Sequence, residues 1–352
     1  MSKTIKIGDK KIGYGQSVFI IAEAGVNHNQ RLDLALRLVD IAAESGADAV
    51  KFQTFRAEDV VTEKGEIASY QKANLGRKMS QREMLRRVEL PEDFYQPIIK
   101  RCGQRNIIFM STPHGGKKSV EFLESLKVKA YKIGSGDLTN YILLDKVAKL
   151  GQPMILSSGM ATMSEVKDAI RFVKSRGNDQ IAVLHCTTNY PCPPEEVNLL
   201  AMKTMMEQLD VPVGYSDHTQ GSQVAIMAAN LGMAVYECHF TLDKTLPGPD
   251  HVASCEPDEL KERIAAIRKV SVILGKSTKA PNKSEINSML GLVRRSIVAA
   301  RDLKAGHVLT DDDMEAKRPG DGVSPTEYGK LLGKRLIKNV KADQQITFKE
   351  LE

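Results

Sequence analysis

Short apolar segments alternate with amphipathic segments from residue 18 to about residue 275, and this alternation restricts the possible folds more than any other feature. The apolar segments that are candidate strands are Val18–Ala22, Ala49–Phe52, Ile107–Met110, Ala130–Ile133, Met154–Leu156, Ile181–His185, Val211–Tyr215 and Ala234–Glu237. Strands that alternate with helices form a parallel sheet with the helices outside it. Eight such units predict an α/β chain that closes into a (β/α)₈ TIM barrel.

Polar residues follow every one of these predicted strands. They are Glu23; Lys51 with Gln53; Ser111 with Thr112; Lys132 with Ser135 and Asp137; Ser157 with Ser158; Thr187, Thr188 and Asn189; Ser216 to His218; and Glu237 with His239. In a TIM barrel the C-terminal ends of all strands meet at one mouth, where catalytic groups lie. A scaffold needs no charged residues there, so the pattern predicts an enzyme with its active site at this mouth.

Two histidines follow neighbouring strands: His218 comes after Val211–Tyr215, and His239 comes after Ala234–Glu237. In a strand–helix–strand unit the two strands are parallel, so both imidazoles reach the same edge. Adjacent strands are about 4.8 Å apart, which lets two imidazoles share one metal ion. Each histidine alone is explained by a hydrogen bond at its strand end, but the paired placement favours a metal site.

Two lysines, Lys51 and Lys132, end the second and fourth predicted strands. The hydroxyl residues expected around them are Ser111, Thr112, Ser135 and Ser157. Fixed cations and hydroxyl donors together suit a phosphate and a carboxylate, because charged hydrogen bonds are stronger than neutral ones. The turns GSGD and SSGM also expose backbone N–H groups that can bind an anion. A barrel lysine can instead be a Schiff-base nucleophile; two lysines among several hydroxyls favour anion binding.

Five carboxylates lie at or near the predicted mouth: Glu23, Asp137, Asp217, Glu237 and Asp250. Each type of carboxylate can act as a base, as a metal ligand or as an acceptor for a sugar hydroxyl. Glu23 and Asp250 differ from the others because their surroundings, AEAGVNHN and LPGPDH, have little packing value.

The connection 56–90 is long and rich in charge, which predicts a lid or a segment with helices of its own. Lys72, Arg77 and Lys78 in this connection are candidates for an anion-binding rim, although solvated surface also explains them. After residue 275 the pattern changes. Residues 276–285 read as a polar linker, and residues 286–352 as a small, mostly β domain, so the predicted division is 1–275, 276–285 and 286–352.

The bulk composition excludes several classes of protein. No apolar run approaches the roughly 20 residues that span a bilayer, and the first residues carry no signal-peptide core, so we expect no membrane association. The five cysteines form no CxxC pair, which favours a reducing cytoplasm. The net charge of +6 is mild, and the absence of dense basic runs with aromatics argues against nucleic acid. An anionic small-molecule substrate is compatible with it.

Successive motifs identify a resemblance to a known family. They are IIAEAGVNHN, DAVKFQTF, MSTPH, YKIGSGD, LSSGM, LHCTTNYPCP, GYSDHT, ECHFTLDKTLPGPDH and KRPGDG. In this order the chain resembles the bacterial sialic acid synthases and their relatives that make legionaminic and pseudaminic acids. The motifs cover nearly the whole chain, and the C-terminal domain resembles the antifreeze-like (SAF) domain of that family.

The resemblance implies a synthase that condenses phosphoenolpyruvate with an open-chain, N-acetylated mannose-type sugar and releases phosphate by C–O cleavage. The residues implied to bind phosphoenolpyruvate are Lys51, Thr112, Lys132, Ser135, Ser157, Thr188 and Ser216. Those implied to contact the sugar are Glu23, Gln53, Tyr190, Asp250 and Arg318. His218 and His239 would bind Mn²⁺ or Mg²⁺, and Glu23, Lys132 and Asp137 would be the catalytic groups; some family members carry Glu at the position of Asp137.

The resemblance also implies an assembly. Arg318, in KRPGDG, matches an arginine that reaches from the C-terminal domain into the partner's barrel to touch the N-acyl group, which implies a domain-swapped homodimer. N-acetylmannosamine and 2,4-diacetamido-2,4,6-trideoxymannose are both candidate sugars, and the phrases CTTNYP and GSGDLTN favour the legionaminic branch. Two alternatives from other classes are a Schiff-base pyruvate aldolase on the same barrel and a non-catalytic carbohydrate-binding protein.

Overall fold

The computed structural model describes residues 4–65 and 79–352. The predicted rim residues Lys72, Arg77 and Lys78 lie outside the described residues. Contacts between Cα atoms separate the chain into one compact unit that ends at Gly275 and a second that runs from Lys276 to Glu352.

The first unit is a closed barrel of eight parallel strands, which confirms the predicted TIM-barrel fold. The strands are β3 (Phe19–Gly25), β4 (Ala49–Thr54), β5 (Ile108–Pro113), β6 (Tyr131–Ile133), β7 (Met154–Ser157), β8 (Ile181–His185), β9 (Val213–Asp217) and β10 (Val235–His239). They follow one another in chain order around the barrel, and β10 pairs with β3 to close it.

An antiparallel hairpin precedes the barrel and was not predicted. It consists of β1 (Ile5–Ile7) and β2 (Lys10–Ile12). Its isoleucines are buried in one cluster with apolar residues at the beginnings of barrel strands, such as Ala49 and Val235. The hairpin therefore covers the N-terminal end of the barrel, opposite the end at which the polar residues lie.

Several strands extend further along the chain than their apolar segments indicate. β9 continues through Asp217 and β10 through His239, whereas the predictions ended at Tyr215 and Glu237. The apolar pattern stops early because the last residues of these strands have polar side chains, although the backbone hydrogen bonds of the strands continue. His239 is therefore held by the strand itself and not by a loop.

The helices pack around the outside of the barrel, where their apolar faces and the outward side chains of the strands form the main core. The α-helices of the described part are α1 (Leu32–Glu44), α2 (Ala57–Val60), α3 (Gln81–Arg86), α4 (Tyr95–Gln104), α5 (Gly116–Ser125), α6 (Tyr141–Ala148), α7 (Met163–Ser175), α8 (Leu199–Gln208), α9 (Gln223–Leu231), α10 (Pro257–Leu274), α11 (Leu290–Val293) and α12 (Tyr328–Leu331). The short helices α2 and α3 belong to the 56–90 connection. Within the described ranges, no helix has the length and apolar character that crossing a membrane requires.

The remaining helical segments are single turns. The 3₁₀ turns are Glu92–Phe94, Ser135–Asp137, Pro194–Glu196, His251–Ala253, Asp311–Asp313, Pro325–Glu327 and Phe348–Glu350, and a π-helical turn spans Glu285–Met289. The turn Ser135–Asp137 follows β6 directly, so it determines where the side chains of the GSGD motif point.

The second unit contains one antiparallel pair of strands, β11 (Ser296–Ala299) and β12 (Met314–Lys317), around a small apolar core that includes Ile297, Leu336 and Ile346. Isolated β-bridges tie the rest of the unit together. Residues from Glu285 to Val293, near its beginning, are helical.

Candidate active site

The C-terminal ends of the barrel strands surround a cavity of about 320 Å³. The residues singled out from the sequence that line it are Glu23, Lys51, Gln53, Thr112, Lys132, Ser135, Ser157, Thr188, Tyr190, Ser216, His218, His239 and Asp250. Strand register explains part of this convergence, because Glu23 pairs with Lys51 across β3 and β4, and His239 pairs with Glu23 across β10 and β3. Inward-facing residues at the same height of a barrel meet in one layer.

A buried network of two lysines and two carboxylates forms the floor of the cavity. The Lys51 ammonium lies 2.7 Å from Glu23 Oε2 and 3.7 Å from Glu237 Oε2. Lys132 Nζ lies 3.5 Å from Glu237 Oε1 and donates a hydrogen bond of 2.6 Å to Ser157 Oγ. These charged side chains are 1–5% exposed. Such burial is tolerated only because each charge has an opposite partner.

The pKa values of the residues in this network are shifted in different directions. Burial opposes ionisation of Glu237, but the charges of Lys132 and Lys51 outweigh it and lower the pKa of Glu237 to about 2. Burial likewise disfavours the Lys51 ammonium, but Glu23 and Glu237 outweigh it and raise the pKa of Lys51. For Lys132 burial prevails and lowers the pKa below its usual value. The floor therefore offers one fixed cation and one lysine that is easier to deprotonate.

Hydroxyl and backbone donors adjoin Lys132 on one side of the cavity. Ser135 Oγ accepts a hydrogen bond of 3.1 Å from the backbone N–H of Gly159 and lies 3.1 Å from Cys186 Sγ. A Cβ atom added at Gly159 would collide with the side chain of Thr188 and lie 2.7 Å from Ser135 Oγ. Only glycine therefore leaves this corner open for a ligand.

The imidazole rings of His218 and His239 lie next to each other in the cavity. Their ring centroids are 5.8 Å apart, and Tyr190 packs on His218 with a centroid distance of 4.1 Å. His218 Nδ1 lies 2.6 Å from the carbonyl oxygen of Thr187 and so donates to it, which leaves the lone pair on Nε2. Burial lowers the pKa of both histidines to about 4.

Comparisons with known proteins decide the family. The model of the NeuB family matches residues 38–279, and the model of the SAF domain matches residues 294–352. The chain belongs to the NeuB family. This confirms the resemblance drawn from the motifs and shows that the protein is an enzyme of the sialic acid synthase family.

Curated relatives of this NeuB protein align over almost its whole length. The N,N'-diacetyllegionaminic acid synthase of Legionella pneumophila is 44% identical over 349 residues, covering 98% of each chain. The enzyme of the same name from Campylobacter jejuni is 43% identical and covers 94% of this chain and 99% of its own. The human N-acetylneuraminate-9-phosphate synthase is 37% identical over 95% of this chain and 93% of its own.

Solved structures share the architecture of the NeuB protein. The N-acetylneuraminic acid synthetase of Leptospira borgpetersenii is 34% identical, with a TM-score of 0.73 over 82% of this chain and 96% of that chain. The spore coat polysaccharide biosynthesis protein SpsE of Bacillus subtilis is 33% identical, with a TM-score of 0.68 over 99% of both chains.

Six of the barrel residues singled out from the sequence of the NeuB protein do not line the cavity: Ser111, Asp137, Ser158, Thr187, Asn189 and Asp217. Asp137 accepts a hydrogen bond of 2.9 Å from Asn140 Nδ2, and its carboxylate lies 3.6 Å from His114 Nδ1. Burial opposes the Asp137 anion, but hydrogen bonds with His114 and Asn140 lower its pKa. Arg318 lies exposed in the second unit, where its Nε donates to the carbonyl of Val293 at 3.1 Å.

Glu237, one of the five carboxylates expected at the mouth, also lines the cavity. Residues 237 and 239 are two apart on one strand and therefore face the same side. His114 and Cys186 line the cavity as well, although neither was assigned a role from the sequence. His114 and Cys186 follow strands in the motifs MSTPH and LHCTTNYPCP. These motifs indicated a site at the strand ends but did not show which of their side chains face the cavity.

The chemistry of the histidine pair of this NeuB protein fits a divalent metal ion. His239 Nδ1 is buried and has no hydrogen-bond partner among the described residues, and His218 presents the unprotonated Nε2. Ligand histidines are neutral and commonly donate their other N–H to a carbonyl, as His218 does. No set of three His, Cys, Asp or Glu residues within 4–65 and 79–352 is arranged to hold a metal. Two imidazoles would thus leave further coordination positions to water or substrate oxygen.

Asp250 and Gln53 complete the side of the cavity next to His239. Gln53 Nε2 donates a hydrogen bond of 3.1 Å to Glu23 Oε1. Burial, reinforced by the charge of Glu23, raises the pKa of Asp250 to about 7. This side thus carries amide and carboxyl groups suited to hydroxyl groups of a sugar, and Lys51, 2.7 Å from Glu23, adjoins it. Lys132 is instead hydrogen-bonded to Ser157.

Proposed function

We propose that the protein is a nonulosonic acid synthase that condenses phosphoenolpyruvate with an open-chain, N-acetylated mannose-type sugar and releases phosphate. The observation that carries the proposal is the convergence, in one cavity, of a buried lysine pair with a neutral histidine pair. The names of the relatives, which make legionaminic, neuraminic and pseudaminic acids, support the same class of reaction.

Phosphoenolpyruvate would bind at the lysine side. Its phosphate and carboxylate would be held by Lys51, Thr112, Lys132, Ser135, Ser157, Thr188 and Ser216. Lys132 Nζ donates to Ser157 Oγ and the Gly159 N–H donates to Ser135 Oγ, which fixes the positions of both serine hydroxyls in this corner. Charge-assisted bonds of this kind are the strong ones for oxyanions.

The sugar would bind at the opposite side, with Glu23, Gln53, Tyr190 and Asp250 against its hydroxyl groups. A Mn²⁺ or Mg²⁺ ion held by His218 and His239 would supply Lewis-acid polarisation of the sugar aldehyde. Arg318 would touch the N-acyl group from a partner subunit of a domain-swapped homodimer. We place this enzyme in the cytoplasm, as its cysteine usage suggests.

The reaction makes one carbon–carbon bond and breaks one carbon–oxygen bond. C3 of the enolpyruvate forms a bond to the aldehyde carbon, water adds to C2, and the C2–O bond to phosphate breaks. The new hydroxyl takes up the proton that the attacking water loses, and the resulting C2 hydroxyl gives up its own proton to the departing phosphate as the C2 carbonyl forms. Glu23, Lys132 and Asp137 are the proposed acid–base groups, with Asp137 reaching the cavity through His114.

A Schiff-base pyruvate aldolase is a second candidate, because burial lowers the pKa of Lys132 as amine nucleophiles require. Lys132 Nζ is, however, bound to Ser157 and adjoins Glu237, which keeps it oriented as a hydrogen-bond donor. Borohydride trapping of a pyruvate adduct on Lys132 would support the aldolase and contradict the synthase.

The direct test is phosphate release from phosphoenolpyruvate with N-acetylmannosamine or with 2,4-diacetamido-2,4,6-trideoxymannose, with and without a chelator. We expect release only when a sugar is present, and we expect chelation to stop it until Mn²⁺ or Mg²⁺ is added back. Release that needs no sugar, or full activity after chelation, would defeat the proposal.

A further inference from the structure

His114 stands between a buried carboxylate and the open space of the cavity. It follows β5 directly and lines the cavity, and its side chain is 37% exposed. The carboxylate that it faces, that of Asp137, is 17% exposed and does not line the cavity. A ligand in the cavity can therefore touch the imidazole of His114, but it does not reach the carboxylate that was expected to act there.

Asp137 is held with its carboxylate towards the imidazole of His114. Its backbone N–H donates to the carbonyl of Gly134 at 3.0 Å, and its Oδ1 accepts a hydrogen bond of 2.9 Å from Asn140 Nδ2. Its Oδ2 lies 3.6 Å from His114 Nδ1. Although burial opposes ionisation of Asp137, the hydrogen bonds from His114 and Asn140 lower its pKa. Asp137 is thus a carboxylate at neutral pH, and it accepts from the imidazole.

The His114 ring has one nitrogen left for a ligand. A carboxylate beside Nδ1 favours the tautomer with the proton on Nδ1, which leaves the lone pair on Nε2. In the part of the chain that the structure describes, the contact with Asp137 is the one polar contact of this ring. Phe55 packs edge-on against it, with the ring centroids 6.1 Å apart. Nε2 can therefore take up or give a proton without breaking a hydrogen bond within the protein.

His114 lies on the side of the cavity where we place phosphoenolpyruvate. Its backbone N–H donates to the carbonyl of Thr112 at 2.9 Å, and the hydroxyl of Thr112 accepts from Lys51 Nζ at 3.3 Å. Ser135, which begins the 3₁₀ turn that carries the carboxylate, accepts the N–H of Gly159 at 3.1 Å. The ring is thus flanked by two of the hydroxyl residues of the anion site.

We propose that His114 is the catalytic residue that carries the last proton of the reaction, from the C2 hydroxyl to the departing phosphate. The inference rests on the proposed function and names the group for one of its steps. Nε2 takes the hydroxyl proton, and the electron pair of the O–H bond becomes the second bond of the C2 carbonyl. The C2–O bond to phosphate breaks with its electron pair on the phosphate oxygen, which then receives the proton from Nε2.

His114 therefore ends the step as the neutral imidazole with which it began, and no further reactant is consumed. Asp137 does not touch the substrate in this scheme. It is a positioning residue, because its carboxylate orients the ring and stabilises the imidazolium that forms between the two proton transfers.

The test is a single turnover of His114→Gln with phosphoenolpyruvate, Mn²⁺ and whichever of the two candidate sugars the wild type uses. Loss of the enol absorbance and release of phosphate are followed together. Glutamine keeps a hydrogen-bonding side chain but cannot carry a proton, so phosphate release should slow by about 100-fold or more. Both KM values should stay as in the wild type. Loss of the enol should precede phosphate release in His114→Gln, whereas the two should coincide in the wild type.

His185→Gln is the matched control, because His185 ends β8 but lines a different cavity, and it should keep the wild-type rates. A second variant, His114→Ala, should regain phosphate release when free imidazole is added. The rescue should be weaker when Asp137→Asn is also present, and a rescue of equal size would contradict the role of Asp137.

Three results would overturn the inference and leave the synthase proposal standing. They are a wild-type rate in His114→Gln, enol loss and phosphate release that slow by the same factor, and no rescue of His114→Ala by imidazole. A wild-type protein that releases no phosphate with either sugar would overturn both.

Discussion

Replacing Arg263 by Met would test how the strand that ends beside His218 is held in place. Arg263 lies in α10 and is 4% exposed; its Nη1 is 3.5 Å from Asp217 Oδ2 and 3.1 Å from the Tyr236 hydroxyl, and its Nη2 is 3.4 Å from the Thr219 carbonyl. Methionine would fill most of the volume of the aliphatic stem, so the loss would be one of charge and hydrogen bonds.

The size of the expected loss in the free energy of unfolding depends on the hydrogen bonds that Asp217 retains. Removing one partner of a buried ion pair costs about 3–5 kcal/mol, because the other charge stays buried without compensation. Here Asp217 retains three donors: the Thr219 N–H at 2.9 Å, the Thr219 hydroxyl at 2.7 Å and the Tyr236 hydroxyl at 2.8 Å. The Arg263 contacts are also long, so we expect the lower end, about 3 kcal/mol of the free energy of unfolding.

Urea unfolding followed by far-ultraviolet circular dichroism measures this loss for the barrel, and hydrogen exchange at the amides of β9 assigns it. With a slope of about 3 kcal/mol per molar urea, the midpoint should fall by about 1 M. The double variant Asp217→Asn with Arg263→Met should recover part of the loss, since it no longer buries an uncompensated carboxylate. A loss under about 1 kcal/mol, or a double variant no more stable than Arg263→Met, would refute the reasoning.

Three further changes probe the two ends of the cavity and the second unit. His239→Ala should abolish both Mn²⁺ binding and phosphate release with an unchanged circular dichroism spectrum; retained metal binding would count against the ligand assignment. Lys132→Met should raise the KM for phosphoenolpyruvate by about tenfold to about 150-fold, which is the factor for a charged hydrogen bond worth about 1.5–3 kcal/mol. The surface variant Lys149→Met should leave this KM unchanged. An unaltered KM in Lys132→Met would exclude Lys132 from the anion site. Burial opposes ionisation of Asp313, but hydrogen bonds from His307, Thr310 and Arg301 outweigh it and lower its pKa, so its contribution to stability is present above the unfolded value of about 4 and is lost as the pH falls below it. In the full chain, the hydrogen-exchange protection of the second unit, relative to the intrinsic rate at each pH, should therefore fall between pH 4 and pH 2 more in the wild type than in Asp313→Asn. Parallel profiles would contradict this account.

The barrel and most of its mouth were predictable because the strand–helix alternation and the polar strand ends are local properties of the sequence. The lysine–glutamate network was not, since Glu237 meets Lys51 and Lys132 only when closure brings β10 within one strand of β4 and across the barrel from β6. Asp137 was expected in the cavity, but the 3₁₀ turn that follows β6 directs its carboxylate towards His114.

Three apolar residues that line the cavity, Val60, Met84 and Leu85, also escaped prediction, and for a different reason. They come from two short helices, in which four and six residues are too few for a periodic pattern to stand out. The hairpin β1–β2 was missed likewise, because three-residue strands leave hardly any alternation to read.

The positions around the cavity differ in how freely they can be substituted. Any side chain at position 159 would displace Thr188 and Ser135, so this glycine cannot be replaced while those two side chains keep their positions. Val60 in α2 and Met84 and Leu85 in α3 line the cavity, but they take no part in the strand ladder. Substitutions in these two helices can therefore reshape one side of the cavity while the strand ends around Gly159 stay constant.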